Sequence, residues 1–232
     1  MKIWQVLKKS TSQSYDKLFK FGILNLLWFF LSTIVVYIGY YGLFLRAYYL
    51  LIIPIILLGP FFMGGLMVSI DYLKFNDFII KKYFTYIKEN FKRGLVGFLF
   101  TFFIYIILFV DFVFFLRKGS DSIFMLILAV LILYIIIFFS MMQCTYWGYL
   151  ALKRDLGIKD IIKNSFLTTI DNLIFTFLWF IIVFILSSIL IISGFGIALL
   201  LMNFVSLMIL NATIEISSKY EKIEIGELSQ DE

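Results

Sequence analysis

Long apolar runs alternate with short charged segments along this chain, and the Lys and Arg residues collect in every second segment. A hydrocarbon core about 30 Å thick takes roughly 20 apolar residues of helix to cross. Six stretches meet or approach that length: Phe21–Tyr40, Tyr48–Ile70, Gly94–Leu116, Ile123–Trp147, Leu173–Ser193 and Ile197–Ile214. Asp111 is the single formal charge inside them. So much uncharged Phe, Ile and Leu has no place on a water-facing surface. The expected fold class is therefore an all-α polytopic membrane bundle of six transmembrane helices. Residues 1–216 form one integral membrane domain, and 217–232 form an acidic tail expected to be disordered.

Charge sets the expected orientation, because Lys and Arg concentrate in cytoplasmic segments. All 20 basic residues except Arg46, Arg117 and Lys118 fall before the first run, between the second and third, between the fourth and fifth, or after the sixth. Both termini are then expected to be cytoplasmic. The assignment turns on Gly194-Phe-Gly196, the one break between the fifth and sixth runs. The first run follows Lys2, Lys8, Lys9, Lys17 and Lys20, is as long as a full span and lacks a small-residue cleavage site, so it reads as a retained anchor.

The net charge of +5 is distributed by topology and makes no basic strip, so nucleic acid is not an expected partner. Anionic headgroups of the membrane lipids are. With no histidine, a His-based triad, an imidazole-ligated zinc and a His-ligated haem are excluded, and no cofactor is expected. Cys144 is the one cysteine, so no intramolecular disulfide can form. It falls inside an apolar run, as an inert buried thiol would.

Pro54 and the pair Gly59-Pro60 interrupt the second run. Each proline removes a backbone donor and crowds the carbonyl four residues earlier. The run is then either a late-starting or kinked helix packed in the bundle, or a broken helix lining a site.

The two longer basic connections look helical. Over Asn76–Asn90, Ile80, Phe84, Ile87 and Phe91 recur at spacings of three and four, with Lys81, Thr85, Lys88 and Lys92 on another face. Such a helix lies in the membrane interface, rings among acyl chains and ammonium groups among phosphates. A shift of 82 residues aligns Ile79 with Ile161, Ile80 with Ile162, Lys81 with Lys163, Phe84 with Phe166 and Asn90 with Asn172. The same shift carries the second run onto the fourth and the third onto the fifth. Two parallel tandem units follow, about 48–116 and 123–198, each a span, an interfacial helix and a span.

The polar candidates are few. Asp111 lies five residues before Leu116, about 8 Å from that helix end at 1.5 Å per residue. It reads as a snorkelling carboxylate, ion-paired with Arg46 or Arg117, or as a cation site at the outer mouth. Asn25, Gln143, Asn203 and Asn211 fall within or near apolar runs, where amides bond across helix interfaces; nothing in the sequence converges them. Asn211 and Glu215, four apart, read as a solvated face. Lys81, Lys88, Lys92 and Lys163 are the candidates for contact with headgroups or a partner.

Three segments in order, Leu24-Asn-Leu-Leu-Trp28, Gly59-Pro-Phe-Phe-Met-Gly-Gly-Leu66 and Phe84-Thr-Tyr-Ile-Lys-Glu-Asn-Phe-Lys-Arg-Gly94, resemble the YesL-like family of small bacterial integral membrane proteins. The likeness covers roughly Lys17 to Val110, with Ile55-Ile-Leu-Leu58 where the family carries Pro-Ile-Val-Thr. Members often accompany carbohydrate ABC importers, so the resemblance implies an accessory role in sugar uptake, with ABC permease subunits as partners and no catalytic residues. A small solute transporter or channel is the alternative, favoured by the repeat, the interrupted second run and Asp111. It requires a water-accessible cavity near Pro54, Pro60 and Asp111. A homo-oligomer is also compatible with the small-residue faces.

Overall fold

The computed structural model describes residues 3–75, 80–119 and 122–220, and all regular structure in it is helical. In chain order the helices are α1 (Ile3–Asp16), α2 (Leu18–Phe44), α3 (Ile52–Phe75), α4 (Lys82–Glu89), α5 (Phe91–Lys118), α6 (Ile123–Leu152), α7 (Ile158–Asp171), α8 (Leu173–Ile192) and α9 (Met202–Ser217). A 3₁₀ turn, Tyr48–Leu51, leads into α3, and a π-helical turn, Ile197–Leu201, leads into α9. Six of these segments are long and apolar enough to cross a membrane: α2, α3 with its 3₁₀ turn, α5, α6, α8, and α9 with its π turn. Their outer faces carry exposed Phe103, Ile107, Phe109, Leu131, Phe184 and Ile192. Exposed apolar area on this scale fits lipid as the surrounding solvent.

Six spans rather than five follow from residues 193–196. Gly194 adopts φ +67°, a left-handed backbone open to glycine at little cost. The chain reverses there, and α8 and α9 become separate helices.

α9 is the centre of the packing. It crosses α3 where Gly65 faces Met202 and crosses α6 where Gly148 faces Thr213. Most of its residues are buried, and Leu207, Met208 and Leu210 have no exposed surface. α3 and α6 meet beside it, the Phe62 and Trp147 rings edge to face at 4.9 Å.

The segment before the first span is also a helix. α1 lays Val6, with Ile3 and Leu7 around it, against Met208, Ala212 and Ile216 of α9. Asn211 Nδ2 donates to Ser10 Oγ (2.9 Å) and to Gln13 Oε1 (2.8 Å). Asn211 thus bonds across a helix interface, as an amide near an apolar run is expected to, and the solvated face expected of it with Glu215 is, at Asn211, a buried docking point for α1. The signal was the 3, 6, 7, 10 spacing of Ile3, Val6, Leu7 and Ser10, masked by Lys8 and Lys9 on the other side.

The second run is a late-starting, continuous helix. Pro54 sits in the first turn of α3, where its missing N–H has no intrahelical partner to lose, and packs on Gly39. α3 runs on through Pro60. There Gly59 and Gly94 bring the α3 and α5 backbones together: a Cβ at Gly59 would overlap the Gly94 carbonyl oxygen. The Gly59-Pro60 pair is a packing notch, not a broken helix beside a cavity.

α4 and α7 fold back along α3 and α6 respectively. Tyr83 and Ile87 of α4 lie over Gly64. Ser165 and Thr169 of α7, each 82 residues on, lie against Thr145. Asn90 and Asn172, also 82 apart, end α4 and α7, and each donates Nδ2 to the carbonyl four residues back: Tyr86 O at 3.1 Å, Thr168 O at 3.0 Å.

The apolar stripe expected on the first of these helices is split. Tyr83 is fully buried and donates its hydroxyl to Phe61 O at 3.1 Å, with Ile80 and Ile87 packed around it, while Phe84 is exposed. The side chain that fits over a glycine decides which face turns inward, and that is an aromatic with its own hydrogen bond. α4 starts at Lys82; Asn76, where the helical pattern begins in the sequence, lies outside the described residues.

Candidate functional site

The polar residues of interest separate into three groups. Asn25 and Asn203, which nothing in the sequence converges, meet at the π turn. A π turn displaces the i→i−4 ladder and leaves backbone groups without their usual partners. Asn25 supplies them: Oδ1 accepts from Met202 N (2.9 Å) and Asn203 N (3.2 Å), and Nδ2 donates to Leu199 O (2.9 Å) and Phe21 O (3.2 Å). Both amide hydrogens and both lone pairs are used. Asn203 Nδ2 adds a bond to Phe21 O at 2.8 Å. These two asparagines close a backbone defect and tie α2 to α9. Gln143 pairs across the α5–α6 interface with Thr101 (3.0 Å), above Tyr105 with Ser140 (2.8 Å). It also lines a crevice of about 380 Å³ with Cys144, Phe184 and Ser187.

Asp111 and Arg46 stand apart. Asp111 is exposed on α5. Arg46 is exposed after α2 with φ +58°, and the bonds Arg46 N→Leu43 O (3.1 Å) and Ala47 N→Gly42 O (2.7 Å) make it the left-handed cap of that helix. Pairing of Arg46 with Asp111 is not found. The α2 terminus dictates where Arg46 goes. Pro60 is buried at the α3–α5 notch, whereas Asp111 is exposed farther along α5.

The third group lies where α3, α4, α5 and α6 meet. Asp71, half-buried on α3, receives the Tyr86 hydroxyl and pairs with Lys82 Nζ at 3.4 Å. Arg93 at the start of α5 spans to the end of α6. Its Nε donates to Leu150 O (2.8 Å), and its two terminal nitrogens donate to Arg154 O (2.8 Å) and Lys153 O. A helix C-terminus carries partial negative charge and unpaired carbonyls, so a guanidinium there answers both. Arg154 in turn lays its Nη2 on Met67 Sδ at 3.5 Å. Burial and the Asp71 hydrogen bond push the Tyr86 phenol above its ordinary value, and burial alone does so at Tyr83. Around this junction Lys81, Lys88 and Lys92 are exposed, as is Lys163 on α7.

Sequence reading missed Asp71, Tyr86, Arg93 and Arg154. Arg93 and Arg154 had been counted as orientation charges only. Asp71 falls one residue past the apolar run, and its spacing of four from Met67 and three from Lys74 was the available signal.

Beside the corner at Asn172, a polar cavity of about 420 Å³ opens between α6, α7 and the end of α9, lined by Tyr149, Asp155, Asn164, Thr168, Asp171 and Tyr220. Asn172 Nδ2 donates to Tyr220 Oη, and Lys219 Nζ to Asn172 Oδ1, at 3.0 and 2.8 Å. No family model, curated protein or solved structure matches the chain.

Proposed function

We propose that the chain is a non-enzymatic, multi-pass protein of a bacterial inner membrane, both termini cytoplasmic, that works as an accessory or interaction partner of a carbohydrate ABC import system. One observation carries this reading. Inside the bundle Asn25 uses its whole amide on backbone and the amide nitrogens of Asn203 and Asn211 donate to neighbouring helices, whereas Lys81, Lys88, Lys92 and Lys163 project from its surface. The likeness to the YesL-like family supplies the transport context. Contacts among the basic segments support a common cytoplasmic end: Arg93 with the α6 terminus, Lys82 with Asp71, and Lys219 with Asn172.

α4 and α7 fit the role of paired interfacial helices, with Phe84, Phe166 and Ile170 exposed beside the lysines. The recurrence of the Tyr83/Ile87 and Ser165/Thr169 contacts at a shift of 82 supports a parallel tandem repeat. A mild-detergent affinity capture from the native membrane, against an unrelated six-span control, tests the role. Stoichiometric recovery of ABC permease subunits is expected, and recovery of this chain alone contradicts it.

A second reading, a small solute transporter, is favoured by the crevice at Gln143, where Tyr105, Ser140 and Ser187 set hydroxyls within an apolar wall. A liposome flux assay on the wild type, Gln143→Leu at the crevice and Asp111→Asn tests it. Flux that is lost in Gln143→Leu would favour transport through the crevice.

A further inference from the structure

The junction of α3, α4 and α6 has more positive charge than it neutralises. Met67, Asp71 and Lys74 lie at spacings of four and three and so share one face of α3. Asp71 is already engaged by Tyr86 and Lys82. Arg154 reaches the same face, but its bond there is to a thioether, an uncharged and weak acceptor. That contact fixes the guanidinium on α3 without neutralising it. Arg154 lies near enough to Lys74 and Tyr86 to act on both electrostatically. Among the described residues neither Lys74 nor Arg154 has a carboxylate in ion-pair contact.

Arg93 holds the Arg154 carbonyl, so the backbone that carries the guanidinium is fixed as well. Each of Arg93's three nitrogens already donates to a carbonyl at the end of α6, which holds this guanidinium to the helix terminus. Among the described residues, the ion pair at this junction is Lys82 with Asp71.

We propose that Lys74 and Arg154 hold the phosphodiester of an anionic lipid headgroup, with Lys82 and Tyr86 closing one side of the site. Two cationic side chains without a carboxylate in ion-pair contact suit the anionic oxygens of a phosphodiester. Lys74 sits at the last turn of a segment long and apolar enough to cross the bilayer, the depth at which lipid phosphates lie. The phosphoryl chemistry is common to lipid and to free phosphate, and the position at a span terminus selects the lipid. The inference rests on the proposed cytoplasmic end of the protein and names a ligand for it.

The test is native mass spectrometry of the full-length protein in neutral detergent. It is titrated with dioleoylphosphatidylglycerol, dioleoylphosphatidylcholine or sodium phosphate. Phosphatidylglycerol is expected to bind in preference to phosphatidylcholine. Removing both charges in K74Q/R154Q is expected to weaken it by at least about tenfold, the loss expected when charge-assisted hydrogen bonds to the phosphate go. K74R/R154K, which keeps the charges, retains binding. K159Q/K163Q on α7 removes the same charge elsewhere and is expected to change affinity less than threefold.

Equal losses in K74Q/R154Q and K159Q/K163Q would reduce the site to general attraction and overturn the proposal. Displacement of the lipid by millimolar phosphate would overturn it too, in favour of a free-phosphate site. Permease capture is measured on the same K74R/R154K sample. Lipid binding without capture refutes the accessory role and leaves the headgroup site standing; capture without lipid binding does the reverse.

Discussion

The π-turn node at Asn25 and the charged junction at Asp71 hold most of the noteworthy polar side chains in this protein, and they use them in opposite ways. At the node, one asparagine makes four hydrogen bonds to backbone and leaves no valence for a ligand. At the junction, one carboxylate is satisfied while Lys74 and Arg154 keep their charge. Depth explains the difference. Inside a bundle every backbone group left open by an irregular turn must find a partner within the protein, so polar side chains there are recruited to the fold. At the span ends water and headgroups complete the partners, and charge can stay available.

The sharpest way to break this contrast is to remove the node. Asn25→Leu leaves Leu199 O, Met202 N and Asn203 N without their side-chain partner, at about 1–3 kcal/mol for each buried group. A loss of at least about 3 kcal/mol is expected in denaturant unfolding of the detergent-solubilised protein. A loss below 1 kcal/mol would mean that Asn25 is not holding the turn.

The glycine crossings come next. A Cβ at Gly59 would meet the Gly94 carbonyl oxygen, and one at Gly148 would meet Thr213 Oγ1, whereas at Gly65 it would meet the flexible end of Met202. Overpacking costs about 1–3 kcal/mol. Gly59→Ala and Gly148→Ala should fall in the upper part of that range, with Gly65→Ala well below them in the same unfolding assay. Equal costs would show that side-chain flexibility is irrelevant at these crossings.

The junction predicts smaller effects and a pH signature. The Tyr83 and Tyr86 phenols hold their protons more tightly in the folded protein than in the unfolded chain, mainly because of burial. Their contribution is therefore complete below the unfolded value of about 10 and is lost as pH rises beyond it. Stability should fall above about pH 10, less steeply in Tyr86→Phe than in the wild type. An unchanged alkaline slope would place the cause elsewhere.

The smallest effect is expected at Arg46. A left-handed residue other than glycine costs about 1 kcal/mol, so Arg46→Gly should stabilise the protein by roughly that amount and leave permease capture intact. Loss of capture would bring the opposite end of the molecule into the function.

The spans were legible because lipid imposes a length and a hydropathy that a single sequence displays. The α8–α9 break was legible because glycine alone marks it cheaply. What stayed hidden depended on partners distant in sequence. Asn25 gives no sign that it faces a π turn 174 residues away, because a π turn has no composition of its own. Arg93 reads as one more orientation charge until the α6 terminus is placed beside it. The inward face of α4 was misjudged at Tyr83 because periodicity counts apolar residues. It does not weigh a tyrosine that can cover a glycine and donate its hydroxyl as well.

The central claim is that the polar interior serves the fold and the lysine-bearing surface serves the partner. Quantitative capture of permease subunits from native membranes by wild type, K81Q/K88Q/K92Q/K163Q and Asp111→Asn, each at matched expression and folded yield, tests it most directly. Surface substitutions of this kind usually change stability by no more than about 0.5 kcal/mol, so folded yield should not differ. The account predicts that the four-lysine variant loses the subunits and that Asp111→Asn keeps them at the wild-type ratio. Capture that survives loss of the four lysines and fails with Asp111→Asn would contradict it.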